Sequence, residues 1–150
     1  MLRFLVRLLL LGLLINVMEY VDLYWLQVTE ARQVEFILNL FGIKAKYNNL
    51  GGVPSITLNN TGIGLVASYT GYKSLLLLIS LIIAVPEVKW KKKMRGIMIS
   101  IPVIYFYNLM RLCVMLVMST YIDLNLLHDV FWYYISPILI LIIWSFWLKS

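Results

Sequence analysis

The sequence predicts an all-α polytopic membrane protein, with about four transmembrane helices, an external amphipathic helix and a small β-hairpin. Three observations predict it. Of the 150 residues, 62% are hydrophobic and the mean hydropathy is +0.88, more apolar surface than a soluble domain of this length can hide. Apolar runs of helix length recur four times. Five of the thirteen basic residues, Lys89, Lys91, Lys92, Lys93 and Arg95, fall between two of those runs. That clustering is the signature of a cytoplasmic loop rather than of nucleic-acid binding. The length fits one membrane domain, residues 1–150.

The elements follow in order. The first span, about 5–26, has Arg3 and Arg7 at its start; no small-residue cleavage site follows, so it reads as a retained helix and not a cleaved signal. The insert 27–62 is polar. Its first half places Ala31, Val34, Ile37, Leu38 and Phe41 on one helical face, with Thr29 as N-cap and Gly42 as stop, and predicts an amphipathic interfacial helix. Its second half carries Asn48-Asn49, Gly51-Gly52 and Asn59-Asn60, turn signals that bound short extended pieces at 44–47 and 55–58. Asn59-Asn60-Thr61 also forms a short glycosylation sequon. The second span, about 63–85, is stopped by Pro86. The third, about 94–121, contains Pro102 and is expected to tilt or kink. The fourth runs from about 130 to 148. Spans of about 19 to 28 residues suffice for a hydrocarbon core of about 30 Å. The basic loop and the flanking Arg3, Arg7 and Lys149 place both termini in the cytoplasm, and the insert and the loop with Asp123 and Asp129 outside.

Ionisable groups inside spans are costly and face the bundle interior. Here they are Glu19, Asp22, Lys73 and Arg111. Glu19 and Asp22 are three apart on the first span, Tyr69 and Lys73 four apart on the second, Asn108 and Arg111 three apart on the third. Tyr69 and Arg111 each lie about 10–15 Å below the outer surface at 1.5 Å per residue, and His128 starts the fourth span from the same side. These groups are expected to converge on one outward-facing polar cavity. The alternative is that they are paired only to hold the bundle together. The lone cysteine, Cys113, is two residues past Arg111, about 200° round the helix, and reads as a packing residue. One histidine and one cysteine give no metal-ligand spacing, and no glycine loop cradles a phosphate, so no metal or cofactor is expected.

The stretches "VASYTGYKSLLLL", "RGIMISIPVIYFYNLMRL" and "LLHDVFWYY" together resemble the exosortase/archaeosortase family of prokaryotic membrane transpeptidases. Thr70, Gly71 and Ser74 match its Cys-Thr/Ser-Gly-x-x-Ser motif, Asn108 and Arg111 its Asn-x-x-Arg motif, and His128 its histidine. The resemblance covers roughly residues 30–135. It implies a cysteine that attacks a substrate near its C-terminal sorting signal, an arginine that stabilises the oxyanion and a histidine that transfers protons. It also implies a multi-pass prokaryotic cell-membrane location. Tyr69 stands where the family has its cysteine, and a phenol with a pKa near 10 is a poor nucleophile. Lys73 and Arg111 are expected to lower that pKa. Ser68 and Thr70 are each turned about 100° from the position on a helix.

Three functions remain open on these residues. The first is a non-catalytic relative using Lys73, Asn108, Arg111 and His128, with Thr70, Gly71 and Ser74, to bind a C-terminal tail or another membrane protein within a larger complex in lipid. The second is an active transpeptidase or protease with a non-cysteine nucleophile. The third is a purely structural membrane subunit.

Overall fold

The computed structural model describes residues 2–17, 22–59 and 61–150. Six helices and one sheet follow in the order α1 (Leu2–Val17), α2 (Tyr24–Leu40), β1 (Ala45–Leu50), β2 (Val53–Leu58), β3 (Thr61–Gly64), α3 (Tyr72–Ala84), α4 (Trp90–Met118), α5 (Leu124–Val130) and α6 (Ser136–Lys149). A 3-10 turn, Ala67–Tyr69, precedes α3, and a π-helical turn, Phe131–Ile135, joins α5 to α6.

Among the described residues, two stretches have the length and apolarity to cross a membrane: Trp90–Met118 and Leu124–Lys149. The expected bounds of the second span, about 63–85, are corrected. Residues 61–64 are taken into the sheet, and Gly71 adopts φ +68, a left-handed conformation that an α-helix cannot contain. What is left, α3, has 13 residues, about 20 Å at 1.5 Å per residue. The first span is also redrawn, since Tyr24, Trp25 and Leu26 belong to α2; Glu19 lies outside the described residues. The third and fourth expected spans fall on these two stretches, with starts moved from about 94 to Trp90 and from about 130 to Leu124. α4 runs through Pro102 without interruption.

The amphipathic helix is present but starts earlier than expected. Asp22 accepts from the Tyr24 backbone N–H at 2.9 Å, so Thr29 is not the N-cap; its hydroxyl donates back to Trp25 O at 2.7 Å. Gly42 does end the helix, at φ +79. Phe41 is exposed, and the buried stripe is Glu30, Ala31, Val34 and Leu38. The expected hairpin gains a third strand, giving an antiparallel sheet ordered β1-β2-β3. Leu50 pairs with Val53, leaving Gly51-Gly52 as a two-residue turn with both φ values positive, the conformation that matches strand twist.

Two cores result. Ile56, Leu58, Ile63 and Leu65 pack against the stripe of α2 and against Leu109, Leu112, Met115 and Leu116 of α4. Leu78, Ile82, Ile104, Ile140 and Trp147 join α3, α4 and α6. α3 stops where Val85 turns extended before Pro86. The ammonium of Lys93 then donates to Ile83 O at 2.7 Å and Val85 O at 2.6 Å, satisfying carbonyls that the helix end leaves open. Lys93, read from sequence only as a topology charge, is buried for that purpose.

Candidate functional site

The site is built where the first core meets the loop before α3. Thr70, buried, donates its hydroxyl to Ala67 O at 2.8 Å and closes the 3-10 turn. The turn aims the Tyr69 carbonyl at α4. There it accepts from Asn108 Nδ2 at 2.9 Å and Arg111 Nη2 at 2.8 Å. Gly71 lets the chain pass close to α4: a Cβ there would sit 2.8 Å from Asn108 Cγ and 2.9 Å from Oδ1. The Tyr69 ring packs on the His128 imidazole, centroids 4.8 Å apart. His128 stacks in turn on Trp132 at 6.2 Å, and its Nδ1 lies 3.5 Å from Asp129 Oδ1.

Four expected residues thus meet: Tyr69, Asn108, Arg111 and His128, with Gly71 against Asn108. Lys73 and Ser74 lie in the first turn of α3, beyond Gly71. The left-handed Gly71 breaks the helical register, so Tyr69 and Lys73 are not four apart on one helix. Lys73 and Ser74 line a separate cavity of about 360 Å³ with Leu77, Trp132, Ser136 and Ile140. A second cavity, about 340 Å³, borders Thr70 and Gly71 from the side of Trp25, Thr29 and Tyr105. Asn108 and Arg111 themselves are sealed, at 1% and 2% exposure. Cys113 is buried in the first core.

The residue that sequence reasoning missed is Glu30. It is fully buried, and both its oxygens accept from Asn108 Nδ2 at 3.1 Å. The signal was there: Glu30 is four residues before Val34, so an acid stands in register with an apolar stripe. Burial raises its carboxyl from the ordinary 4.5 to about 8, against the opposing pull of the Asn108 hydrogen bond and the Arg111 charge. Burial likewise raises the Tyr69 phenol, outweighing Arg111. The expected lowering is therefore corrected: the desolvation of the half-buried ring wins over the Arg111 charge.

A raised carboxyl pKa has a defined sign. The folded state holds a proton that the unfolded state has released, so Glu30's contribution is complete below about pH 4.5 and is lost as pH rises to about 8. Thermal unfolding in detergent from pH 5 to 9 is expected to show stability falling by about 1 kcal/mol per pH unit up to about pH 8, then levelling. Glu30→Gln is expected to remove that slope. An unchanged slope in the variant would place the titration elsewhere.

Three buried polar atoms of this cluster lack a hydrogen-bond partner among the described residues: Asn108 Oδ1, Arg111 Nε and His128 Nε2. Two of the residues supplying them are on α4 and one is on α5. Chemically they offer an amide acceptor, a charged donor and an imidazole nitrogen, the set that reads a peptide group or a carboxylate. Across residues 1–148 the chain matches a family model described as transmembrane exosortase. No curated protein and no solved structure matches it.

Proposed function

Because the chain belongs to the transmembrane exosortase family, we propose that it is a non-catalytic member that holds a C-terminal tail or a membrane partner beside the Tyr69–Asn108–Arg111–His128 cluster, as a subunit of a larger membrane complex. The observation that carries this reading is the Tyr69 phenol lying against His128, at the position where the resemblance puts a thiol. A phenol whose pKa is pushed up by burial is protonated at neutral pH and attacks carbonyls poorly. Cys113 is in the apolar core and cannot substitute for it. The unpartnered Arg111 Nε, His128 Nε2 and Asn108 Oδ1 support binding, since buried polar groups without partners are costly unless a ligand completes them. Charge supports the orientation: the basic loop and both termini in the cytoplasm, α2 and the sheet outside.

The test is a photocrosslinker at position 68 in intact membranes, read by mass spectrometry, with a fluorophosphonate probe in parallel. Crosslinks to C-terminal segments of other proteins, uncleaved, are expected. An acyl or phosphonyl adduct on residues 68–70, or a cleaved tail, would overturn the reading.

A purely structural reading is favoured by one observation, the near-complete burial of Asn108 and Arg111. Arg111→Met separates the two. Losing a charge-assisted hydrogen bond costs about 1.5–3 kcal/mol, while relieving a desolvated guanidinium returns several kcal/mol. Binding therefore predicts a stability change under about 1 kcal/mol from these opposing terms and loss of the tail crosslinks. The structural reading predicts the same modest stability change with the crosslinks unchanged.

A further inference from the structure

About 24 Å along α4 from Arg111, at 1.5 Å per residue, a second polar recess opens between the start of α4 and the end of α6. Lys89, Lys91, Lys92 and Arg95 line it, with a volume of about 420 Å³. It continues into an apolar groove of about 310 Å³ between the same helices, along Gly96, Val103, Ile143 and Phe146. The two share Ile99, Trp147 and Ser150. Their common wall is fixed. Trp147 Nε1 donates to Lys92 O at 3.2 Å, and Lys92 Nζ donates to Leu148 O at 3.1 Å. Gly96 makes room, since a Cβ there would overlap Trp147 Nε1.

Lys92 is thus committed to the helix end. Lys89, Lys91 and Arg95 make no ion pair among the described residues, where the one acid–base contact is His128–Asp129. We infer that the recess binds an anionic glycerophospholipid, its phosphate on Lys89, Lys91 and Arg95 and one acyl chain along the Ile99–Val103 groove. Basic pockets between membrane helices on the cytoplasmic side suit phosphate headgroups. Free phosphate would satisfy the cations but leave the groove unused; a zwitterionic lipid would fill the groove but carries its own cation. Only a lipid with a net negative headgroup uses both parts.

The test uses the full chain in nanodiscs of equal phosphatidylglycerol and phosphatidylcholine, with retained lipids read by native mass spectrometry. Phosphatidylglycerol is expected in about tenfold excess, falling below about twofold in Lys91→Gln/Arg95→Gln, which removes two of the three cations that hold the phosphate. Val103→Trp, which leaves every charge in place, is expected to lose the bound lipid by filling the groove. Lys44→Gln/Lys46→Gln on β1 makes the same change in net charge and is expected to retain the preference. Equal retention of both lipids by the natural chain would overturn the inference. So would equal loss in the β1 variant, or displacement of the lipid by millimolar glycerophosphate.

Discussion

Tyr69→Cys is expected to turn the site into a reactive thiol, alkylated by iodoacetamide at pH 7 about twenty times faster than an ordinary cysteine. The backbone at residue 69 is anchored from outside the side chain, because its carbonyl takes both Asn108 and Arg111. Substitution therefore changes what the position carries and not where it is. The new sulfur would stand beside His128, whose ring now touches the phenol, and near the Arg111 guanidinium. Removing the ring opens its space to solvent and relieves the desolvation that raised the phenol, and cationic neighbours then lower a thiol pKa from about 8.5 into a range of roughly 3.5–7.5. At pH 7 an ordinary thiol is a few per cent thiolate, so a shift of two units supplies most of that factor. Losing the half-buried ring costs about 2 kcal/mol, within the usual range for trimmed side chains. Cys113, buried, is expected to stay unmodified and serves as the internal control. The pH profile of alkylation decides the matter. A midpoint below about 7.5 that returns to about 8.5 in Tyr69→Cys/His128→Ala supports a cysteine-ready pocket. A midpoint of about 8.5 in the single variant would mean that position 69 does not face His128. Adding a tailed substrate extends the test, since a thioester on residue 69 would show that the nucleophile alone had been lost.

How much of this was legible beforehand depends on which physical term set each feature. Residue identity at short spacing was legible. Asn108 and Arg111 are one helical turn apart, so any helix puts them on one face, and they do share the Tyr69 carbonyl. Gly42 ended its helix as a left-handed stop should. The start of α3 was not legible, because hydropathy is continuous across Ile63–Val66 and does not distinguish strand from helix over four residues. What decides there is pairing, Ile56 with Ile63 and Ser55 with Gly64, a tertiary term. The register of Glu30 with Val34 was visible, but its burial was hidden for a similar reason. On an isolated amphipathic helix an acid beside the stripe looks solvated; only the packing of α2 on α4 brings Asn108 over it. Lys93 shows the reverse error. One lysine of a basic run was read as a surface charge like its neighbours, yet it lies over the open carbonyls of α3.

Gly71→Ala is expected to destabilise the fold by about 3–4 kcal/mol, through two separable terms. The first is local. Gly71 has φ +68, and a side chain in the left-handed region costs about 1–2 kcal/mol. The second is contact. The added Cβ would lie 2.8 Å from Asn108 Cγ and 2.9 Å from Oδ1, closer than carbon atoms approach without displacement. Asn108 is unable to retreat cheaply. It is 1% exposed and its amide is tied to both Glu30 oxygens and to the Tyr69 carbonyl. Moving it strands those acceptors, and overpacking at such a site costs about 1–3 kcal/mol. The molecule contains its own control. Gly42 has φ +79 with nothing within 4 Å of a built Cβ, so Gly42→Ala meets the backbone term alone and is expected to cost about 1–2 kcal/mol. Thermal unfolding in detergent reads the difference. A double-mutant cycle isolates it, because Asn108→Ala removes the two nearest atoms and leaves only its Cβ, 3.0 Å away, so Gly71→Ala in that background is expected to cost clearly less than in the natural chain and to approach the cost of Gly42→Ala. Equal costs at position 71 with and without the Asn108 amide would refute the contact term. The glycine of the Thr-Gly pair would then be a backbone requirement only, with no part in holding Asn108 and Arg111 on the Tyr69 carbonyl.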